Sequence, residues 1–508
     1  MNIASIFEKC KFRFNSSVAI ADLTKNTELT FNDLYKSLCK VSAFLNSNNV
    51  SLGEKVAILC ESNIDYLVCD YGVMSSGRVR VPIDDSLTLE EKISQLNHSD
   101  SKALFYQSRF KDQAQEIARH IDYLKIFCID DIFNKKIQSN EALYFPKHDA
   151  VASLNYTGGT TGHPKAVILT QGGLSSVVQN IIHARNITPS EVMLNVRPTW
   201  PIAAIIILAH MAAGGKVILA KKFEAESFLS LLEKYRVNFT SLVPTQLNRL
   251  IHHTGTSLYP LPHFKSLEVG AAAISEDLFK LALFNFNKRI AIIYGLTEAS
   301  WSCYQSAEDF ADYSVVNNTR LKSVGRALFG VELKIRDSDG KECEPHTEGE
   351  ITIRGEHITP GYWRNNDATQ SAFYLDWFKT GDLGKLDENG YLYITGRIKE
   401  IIRTGGKTVI PLEVESVLMK HPLVSDAAVI GLPDAEWGEI VLAVIVKKIN
   451  PECDLFDSEL IDWSSNYLSS FKKPKKVIFL TEIPRSHYGK VMRKSLLEKI
   501  SSIYKLSD

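Results

Sequence analysis

Three features of the sequence predict an α/β fold with a β-rich subdomain and a small α+β C-terminal domain. Helix and strand patterns alternate through residues 1 to 150. Period-two strands with Asp-Gly and Asn-Gly turns follow Val324. A short mixed helix–strand tail begins near residue 400. With 508 residues the chain needs more than one hydrophobic core. Apolar residues make up 45% and charged residues 23%, the mix of an ordinary soluble globular protein. A net charge of −1 argues against a nucleic-acid partner held by phosphate neutralisation.

Thr30 is placed to cap a helix that starts at Phe31 and keeps helical spacing through Val41 and Leu45. Gly53-Glu54-Lys55 turns the chain into the strand Val56-Ala57-Ile58-Leu59-Cys60. A helix over residues 66 to 74 ends near Gly77, and Val79-Arg80-Val81-Pro82-Ile83 follows as a strand. This alternation argues a parallel sheet with helices on its faces. Residues 173 to 185 read as a helix. Leu267-Glu268-Val269 and Ile290-Ala291-Ile292-Ile293 read as buried strands. The β-rich part comprises residues 331 to 336, 350 to 354 and 391 to 394, with turns at Asp339-Gly340 and Asn389-Gly390. Beyond it, residues 411 to 420 read as a helix, and 427 to 431 and 440 to 446 as strands. The lysine-rich run from 471 to 476 reads as a solvated face.

The eight cysteines are scattered and form no C-x-x-C pair, so neither a zinc site nor a dithiol redox motif is supported. Buried, reduced thiols in a cytoplasmic protein are the expectation. The first residues lack the apolar core of a signal peptide, and the chain does not end in Ser-Lys-Leu. The longest apolar stretch, 201 to 213, is too short to span a bilayer.

Chemistry concentrates in Tyr156-Thr157-Gly158-Gly159-Thr160-Thr161-Gly162-His163-Pro164-Lys165, which lies between two apolar runs. Glycines let backbone N–H groups approach an anion, threonine hydroxyls add donors, and lysine adds a point charge. Such a loop suits nucleotide phosphates. It is not a Walker A loop, because the spacing fails and strand residues follow the lysine. Alone, it leaves open the reading of a Gly/Thr-rich hairpin turn.

Distant segments agree with the phosphate reading. Tyr294-Gly295-Leu296-Thr297-Glu298 follows a buried strand. Thr380-Gly381-Asp382, Gly396-Arg397-Ile398-Lys399, Gly405-Gly406 and Pro484-Arg485-Ser486-His487-Tyr488-Gly489-Lys490 follow in order. Together they resemble the adenylate-forming (AMP-binding) superfamily: acyl-CoA synthetases, stand-alone adenylation enzymes and luciferase-like proteins. The resemblance runs from about residue 20 to about residue 495. Departures are Gly158 for the usual serine, Ala166 for the usual glycine, Tyr488 for the usual serine, and Trp200-Pro201 where an aromatic-His pair is common.

The resemblance implies a large domain over residues 1 to 398, with two helix-flanked sheets and a β-rich subdomain from about 320. A small mobile lid, residues 399 to 508, would carry the catalytic Lys490. ATP would be held by Thr157, Gly158, Gly159, Thr160, Thr161, Gly162 and Lys165, by Gly270, Ala271 and Ala272, and by Tyr294, Gly295 and Thr297. Asp382 would take the ribose, and Arg397 the ribose or a phosphate. Thr297 and Glu298 would join Lys490 in catalysis, and Glu298 would hold Mg²⁺, which prefers hard oxygen ligands. The acyl pocket would be lined by Trp200, Pro201, Ala272, Ala273, Leu296 and Trp301. No acidic residue lies between Arg197 and Ala213. A cationic substrate tail would stay unpaired there, so an apolar fatty or aromatic acid is favoured. Lys399 would be the hinge, and Gly405 and Gly406 the edge of a coenzyme A tunnel.

The implied reaction joins a carboxylic acid to AMP with loss of pyrophosphate, then passes the acyl group to coenzyme A. The alternatives are transfer to the phosphopantetheine of an acyl carrier protein, and a non-catalytic nucleotide-binding homologue. The sequence leaves monomer and homodimer equally open.

Overall fold

The computed structural model describes residues 1–134, 142–157, 165–200, 203–254, 261–270, 272, 274–310, 318–448, 455–486 and 489–504. Among the described residues, four sheets organise the chain. In the first, the strands Lys125–Cys128, Ser101–Tyr106, Lys55–Leu59, Val79–Pro82 and Val151–Thr157 run parallel, and Lys165–Thr170 closes the edge antiparallel. The second has nine strands. Its parallel centre contains Phe239–Leu242, Ser266–Gly270 and Ile290–Tyr294. Cys303–Gln305 and Arg326–Ala327 continue it antiparallel at one edge, as Thr27–Thr30 does at the other.

Helices bury their apolar faces between these two sheets. Phe31–Ser47, Ile64–Ser75, Gln171–Arg185 and Ala203–Ala212 contribute Leu38, Tyr71, Val178 and Ile207 to one continuous core. Three start at capping side chains that accept N–H groups of the first turn. Thr30 accepts from Asp33 N at 3.1 Å, Asn63 from Tyr66 N at 3.0 Å and Thr170 from Gly173 N at 3.0 Å. The Asn63 cap explains why the second helix begins two residues before the apolar pattern does.

The third sheet pairs Glu332–Arg336, Gly349–Arg354, Trp377–Leu386 and Leu392–Arg397 antiparallel in a meander. Gly340 and Gly390 take positive φ in its turns, at 80° and 77°, as the Asp-Gly and Asn-Gly signals require. The fourth sheet is built from Ile402–Thr404, Lys407–Val409, Val424–Asp434, Gly438–Lys447 and Lys476–Phe479. It has its own apolar clusters on both faces, against Pro411–Leu418 and Asp457–Ser465 on one and Arg493–Tyr504 on the other.

Among the described residues no helix is long and apolar enough to cross a membrane. All the described cysteines are free, but Cys128 and Cys343 are half-buried, which corrects the expectation of uniformly buried thiols. Each sits on or beside an edge strand with solvent on one side.

Candidate active site

The strands Val151–Thr157 and Lys165–Thr170 pair antiparallel, with Thr157 opposite Lys165. Residues 158 to 164 thus connect two antiparallel strands, as the hairpin reading of the sequence expects. Gly158, Gly159, Thr160, Thr161 and Gly162 lie outside the described residues. The base of the hairpin is braced from behind. Arg80 donates to Ser153 Oγ at 2.9 Å and Asn155 Oδ1 at 2.9 Å, and pairs with Asp70 at 2.7 Å. All four side chains are buried. Tyr156 donates its hydroxyl to Gln95 O at 2.9 Å.

The strand Ile290–Tyr294 ends in a turn rather than a helix. Leu296 and Ala299 exchange backbone hydrogen bonds at 3.1 and 3.3 Å, which places Thr297 and Glu298 at the tip. The commonplace role of a Thr-Glu pair as helix cap and first-turn acid is thereby excluded. Glu298 accepts a hydrogen bond from the Tyr362 hydroxyl at 3.0 Å. The ring of the same Tyr362 lies 4.8 Å from Lys165 Nζ. One aromatic side chain thus touches the phosphate-hairpin lysine and the candidate metal carboxylate together.

Asp382 and Arg397 face each other across adjacent strands, and Arg397 Nε reaches Asp382 Oδ1 at 2.7 Å. Tyr294 donates its hydroxyl to the other carboxylate oxygen at 2.8 Å. Each oxygen keeps a second lone pair for a ribose hydroxyl. Burial raises the Asp382 pKa, while Arg397 and the Tyr294 hydrogen bond oppose that rise.

Lys490 arrives from the last part of the chain. The residue as a whole is exposed, yet its ammonium lies close enough to Arg397, Glu400, Asp382 and Glu298 to feel each of them. Desolvation, then Arg397, lower its pKa; the three carboxylates pull it back up. Crowding around the charge governs that shift, not the exposure of the aliphatic stem. The turn that presents Lys490 is tied down. Arg485 grips Asp426 through Nε at 3.2 Å and Nη2 at 2.7 Å, and donates to Gly489 O at 2.7 Å. Gly489 has a φ of +77°, and a Cβ there would meet Thr245 and Val243, which follow the central strand Phe239–Leu242 of the nine-stranded sheet, at 3.5 to 3.9 Å. His487 and Tyr488 lie outside the described residues.

Lys399 is exposed in the single 3-10 turn Ile398–Glu400, between the third sheet and the fourth. Glu400 is held by Arg493 at 2.9 Å, and the same arginine reaches Glu415 at 2.9 Å. Gly405 and Gly406 form the turn between Ile402–Thr404 and Lys407–Val409, with φ of +55° and +74°. A Cβ at Gly406 would meet nothing within 4 Å, so the backbone is bare there, whereas one at Gly405 would come within 2.7 Å of the Trp437 ring.

On the acid side, Trp200 and Trp301 are buried and Leu296 and Ala272 half-buried. Trp301 is stacked on Tyr304, with ring centroids 5.7 Å apart, and lies 5.0 Å from the Arg185 guanidinium. That guanidinium is in turn paired with Glu268 in full burial. Pro201, Ala271 and Ala273 lie outside the described residues. Gly270 lies close to the neighbouring strand, where a Cβ would come within 2.9 Å of Ile293 O.

A family model described as AMP-binding enzyme matches residues 7–363, and one described as AMP-binding enzyme C-terminal domain matches residues 413–490. The chain belongs to the AMP-binding enzyme family. Similar members include the long-chain-fatty-acid–CoA ligase FadD13 of Mycobacterium tuberculosis (strain ATCC 25618 / H37Rv), 29% identical over 494 residues and 95% of each chain. Among solved structures, ATP-bound MatB from Rhodopseudomonas palustris matches with a TM-score of 0.90 at 27% identity, over 99% of this chain and 100% of that one. The o-succinylbenzoate CoA synthetase MenE from Bacillus subtilis, in complex with the acyl-adenylate intermediate OSB-AMP, matches with a TM-score of 0.86 at 27% identity, over 97% of each.

Residues of this AMP-binding enzyme that the motifs did not single out include Tyr362, Thr359 and Asp426. Their signal in the sequence is weak, because each acts through a partner far away along the chain. Among the described residues no group of three or more His, Cys, Asp or Glu is arranged to hold a metal ion. A lone carboxylate such as Glu298 would suit Mg²⁺ where phosphates are present, since that ion takes one or two carboxylates plus phosphate oxygens and waters.

Proposed function

We propose that this chain is an ATP-dependent acid–thiol ligase. It activates a carboxylic acid as acyl-AMP with release of pyrophosphate, then transfers the acyl group to coenzyme A. The observation that carries the proposal is the convergence of Lys490, from the final segment, with Glu298, beyond a strand of the second sheet, and with Asp382 and Arg397 of the third. A carboxylate is a poor acyl donor because oxide would have to leave. Attack of its oxygen on the α-phosphorus forms the mixed anhydride and breaks the bond to pyrophosphate. Nucleotidyl transfer of this kind is catalysed mainly by positioning and charge cancellation.

In this reading Lys490 bridges the substrate carboxylate and the α-phosphate. The Thr157–Lys165 hairpin holds the leaving pyrophosphate, and the Thr297 hydroxyl donates to the α-phosphate. Asp382 and Arg397 take the ribose, and the Tyr294 ring, with Gly270 to Ala272 and Gly295, flanks the adenine. Glu298 holds Mg²⁺, which supplies charge neutralisation at the phosphates. Trp200, Pro201, Ala272, Ala273, Leu296 and Trp301 line the acid pocket and favour an apolar fatty or aromatic tail. Residues 1 to 398 and 399 to 508 act as two bodies pivoting at Lys399. Rotation withdraws Lys490 and brings the Gly405-Gly406 edge to the thiol's path.

Pyrophosphate release measured over aliphatic, aryl and amino acids, with and without free coenzyme A, tests the proposal. Acid-dependent release and a thioester product are expected. Adenylate formation without a thioester would direct the acyl group to a carrier-protein phosphopantetheine instead. No release with any acid would reject the ligase.

A further inference from the structure

The segment containing Tyr362 is stitched to both halves of the nucleotide site. Towards the phosphate hairpin, Ile168 N donates to Gly361 O at 3.1 Å and Trp363 N to Ala166 O at 2.9 Å. The Thr359 hydroxyl lies 2.7 Å from Ile168 O. Towards the Thr297-Glu298 turn, Thr359 N donates to Glu298 O at 2.8 Å, and Ile358 bridges Ala299. Tyr362 N is itself fixed by Thr369 Oγ1 at 2.9 Å. The backbone between the two motifs is therefore a short strut with hydrogen bonds on both flanks. Its one side chain aimed at the charges is Tyr362, with the ring under Lys165 Nζ at 4.8 Å and the hydroxyl on Glu298 Oε1 at 3.0 Å.

We propose that Tyr362 is a positioning residue that sets the spacing between the phosphate-binding ammonium of Lys165 and the metal-binding carboxylate of Glu298. This rests on the ligase reading only for the roles given to those two residues. The two jobs belong to different atoms of one side chain. The ring face attracts the ammonium through its quadrupole, so that the lysine is held near the phosphates before they arrive. The hydroxyl donates to the carboxylate and orients it.

The separation makes the inference testable by two substitutions. Tyr362→Phe keeps the ring and removes the hydroxyl. Tyr362→Leu removes both. ATP affinity is measured by calorimetry in EDTA and again in Mg²⁺, with no acid present. For Tyr362→Phe the EDTA affinity stays within about twofold of wild type, while the gain from Mg²⁺ shrinks roughly tenfold, the scale of one hydrogen bond to a charged group. For Tyr362→Leu the EDTA affinity also weakens, roughly 3-fold to 10-fold, the scale of one cation–π contact.

A double-mutant cycle guards against simple unfolding. If Tyr362 acts through Glu298, Tyr362→Phe has no further effect on the Mg²⁺ gain in a Glu298→Gln background. Additive losses in that cycle, a full Mg²⁺ gain in Tyr362→Phe, or wild-type metal-free affinity in Tyr362→Leu would each overturn the assignment. None of these readouts needs an acid. A wild type that binds ATP in this pattern but releases no pyrophosphate would remove the ligase reading and leave the Tyr362 assignment standing.

Discussion

The turn that presents Lys490 depends on Arg485, and Arg485→Ala removes its whole strap. Two bonds to Asp426, at 3.2 and 2.7 Å, and one to Gly489 O, at 2.7 Å, are lost together. The ion pair is partly exposed, at 24% and 30%, so it contributes no more than about 1 kcal/mol. The bond to Gly489 O adds about 1.5 kcal/mol. Global stability should fall by roughly 1–2.5 kcal/mol, well short of unfolding a chain of this size. Catalysis should fall much further. What remains to hold the turn is internal to it: Ser486 N to Lys490 O at 2.8 Å, Gly489 N to Ser486 O at 2.8 Å and Lys490 N to Ser486 Oγ at 3.3 Å. A displacement near 1 Å of a reacting group can cost about 10²-fold in rate. ATP–pyrophosphate exchange should therefore drop by roughly 10- to 100-fold in kcat, with the KM for ATP changed less than about threefold. Asp426→Asn should be milder, because the bond to Gly489 O survives. Wild-type exchange in Arg485→Ala, with the strap gone, would refute the reasoning.

Lys399→Pro stiffens the exposed turn between the third and fourth sheets. It should spare pyrophosphate exchange and slow thioester formation from a preformed acyl-adenylate; an unchanged second step would remove the pivot from Lys399. The Lys490 amine loses its proton below the ordinary lysine value of 10.5, because desolvation and then Arg397 disfavour its charge. If the protonated form is the active one, exchange declines on the alkaline side earlier than a free lysine would dictate. Arg397→Gln should then move that limb to higher pH and Glu400→Gln to lower pH, read from pH–rate profiles. Arg80→Met strands the buried Asp70 carboxylate behind the phosphate hairpin and should cost about 3–5 kcal/mol in urea denaturation. Adding Asp70→Asn should restore most of it.

The elements legible in the sequence were those whose signal is local. Thr30 announced its helix, the Asp339-Gly340 and Asn389-Gly390 pairs announced their turns, and apolar runs announced the parallel strands. The motif residues that cluster here, Glu298, Asp382, Arg397 and Lys490, were each visible because glycine and charge stand out at fixed spacing. The strap and the strut were not. Arg485 stood in the last motif without a stated role, its partner Asp426 is an ordinary surface type until the fold brings them together, and Tyr362 is one of 19 tyrosines. Nothing in its neighbourhood distinguishes a ring that meets Lys165 from one that fills a core. The Arg80 network was hidden for the same reason: Asp70, Ser153 and Asn155 interrupt apolar runs and read as imperfections in them. They are instead the partners that allow a buried guanidinium.

The division of labour between the two half-reactions is measured most directly with Lys490→Ala. Acid-dependent ATP–pyrophosphate exchange should fall by about 10²–10³, the scale of removing one preorganised charge. Capture of a preformed acyl-adenylate by coenzyme A should proceed at close to the wild-type rate. Exchange that survives the substitution, or two half-reactions that fall together, would contradict the convergence of Lys490 with the nucleotide site as the source of the chemistry.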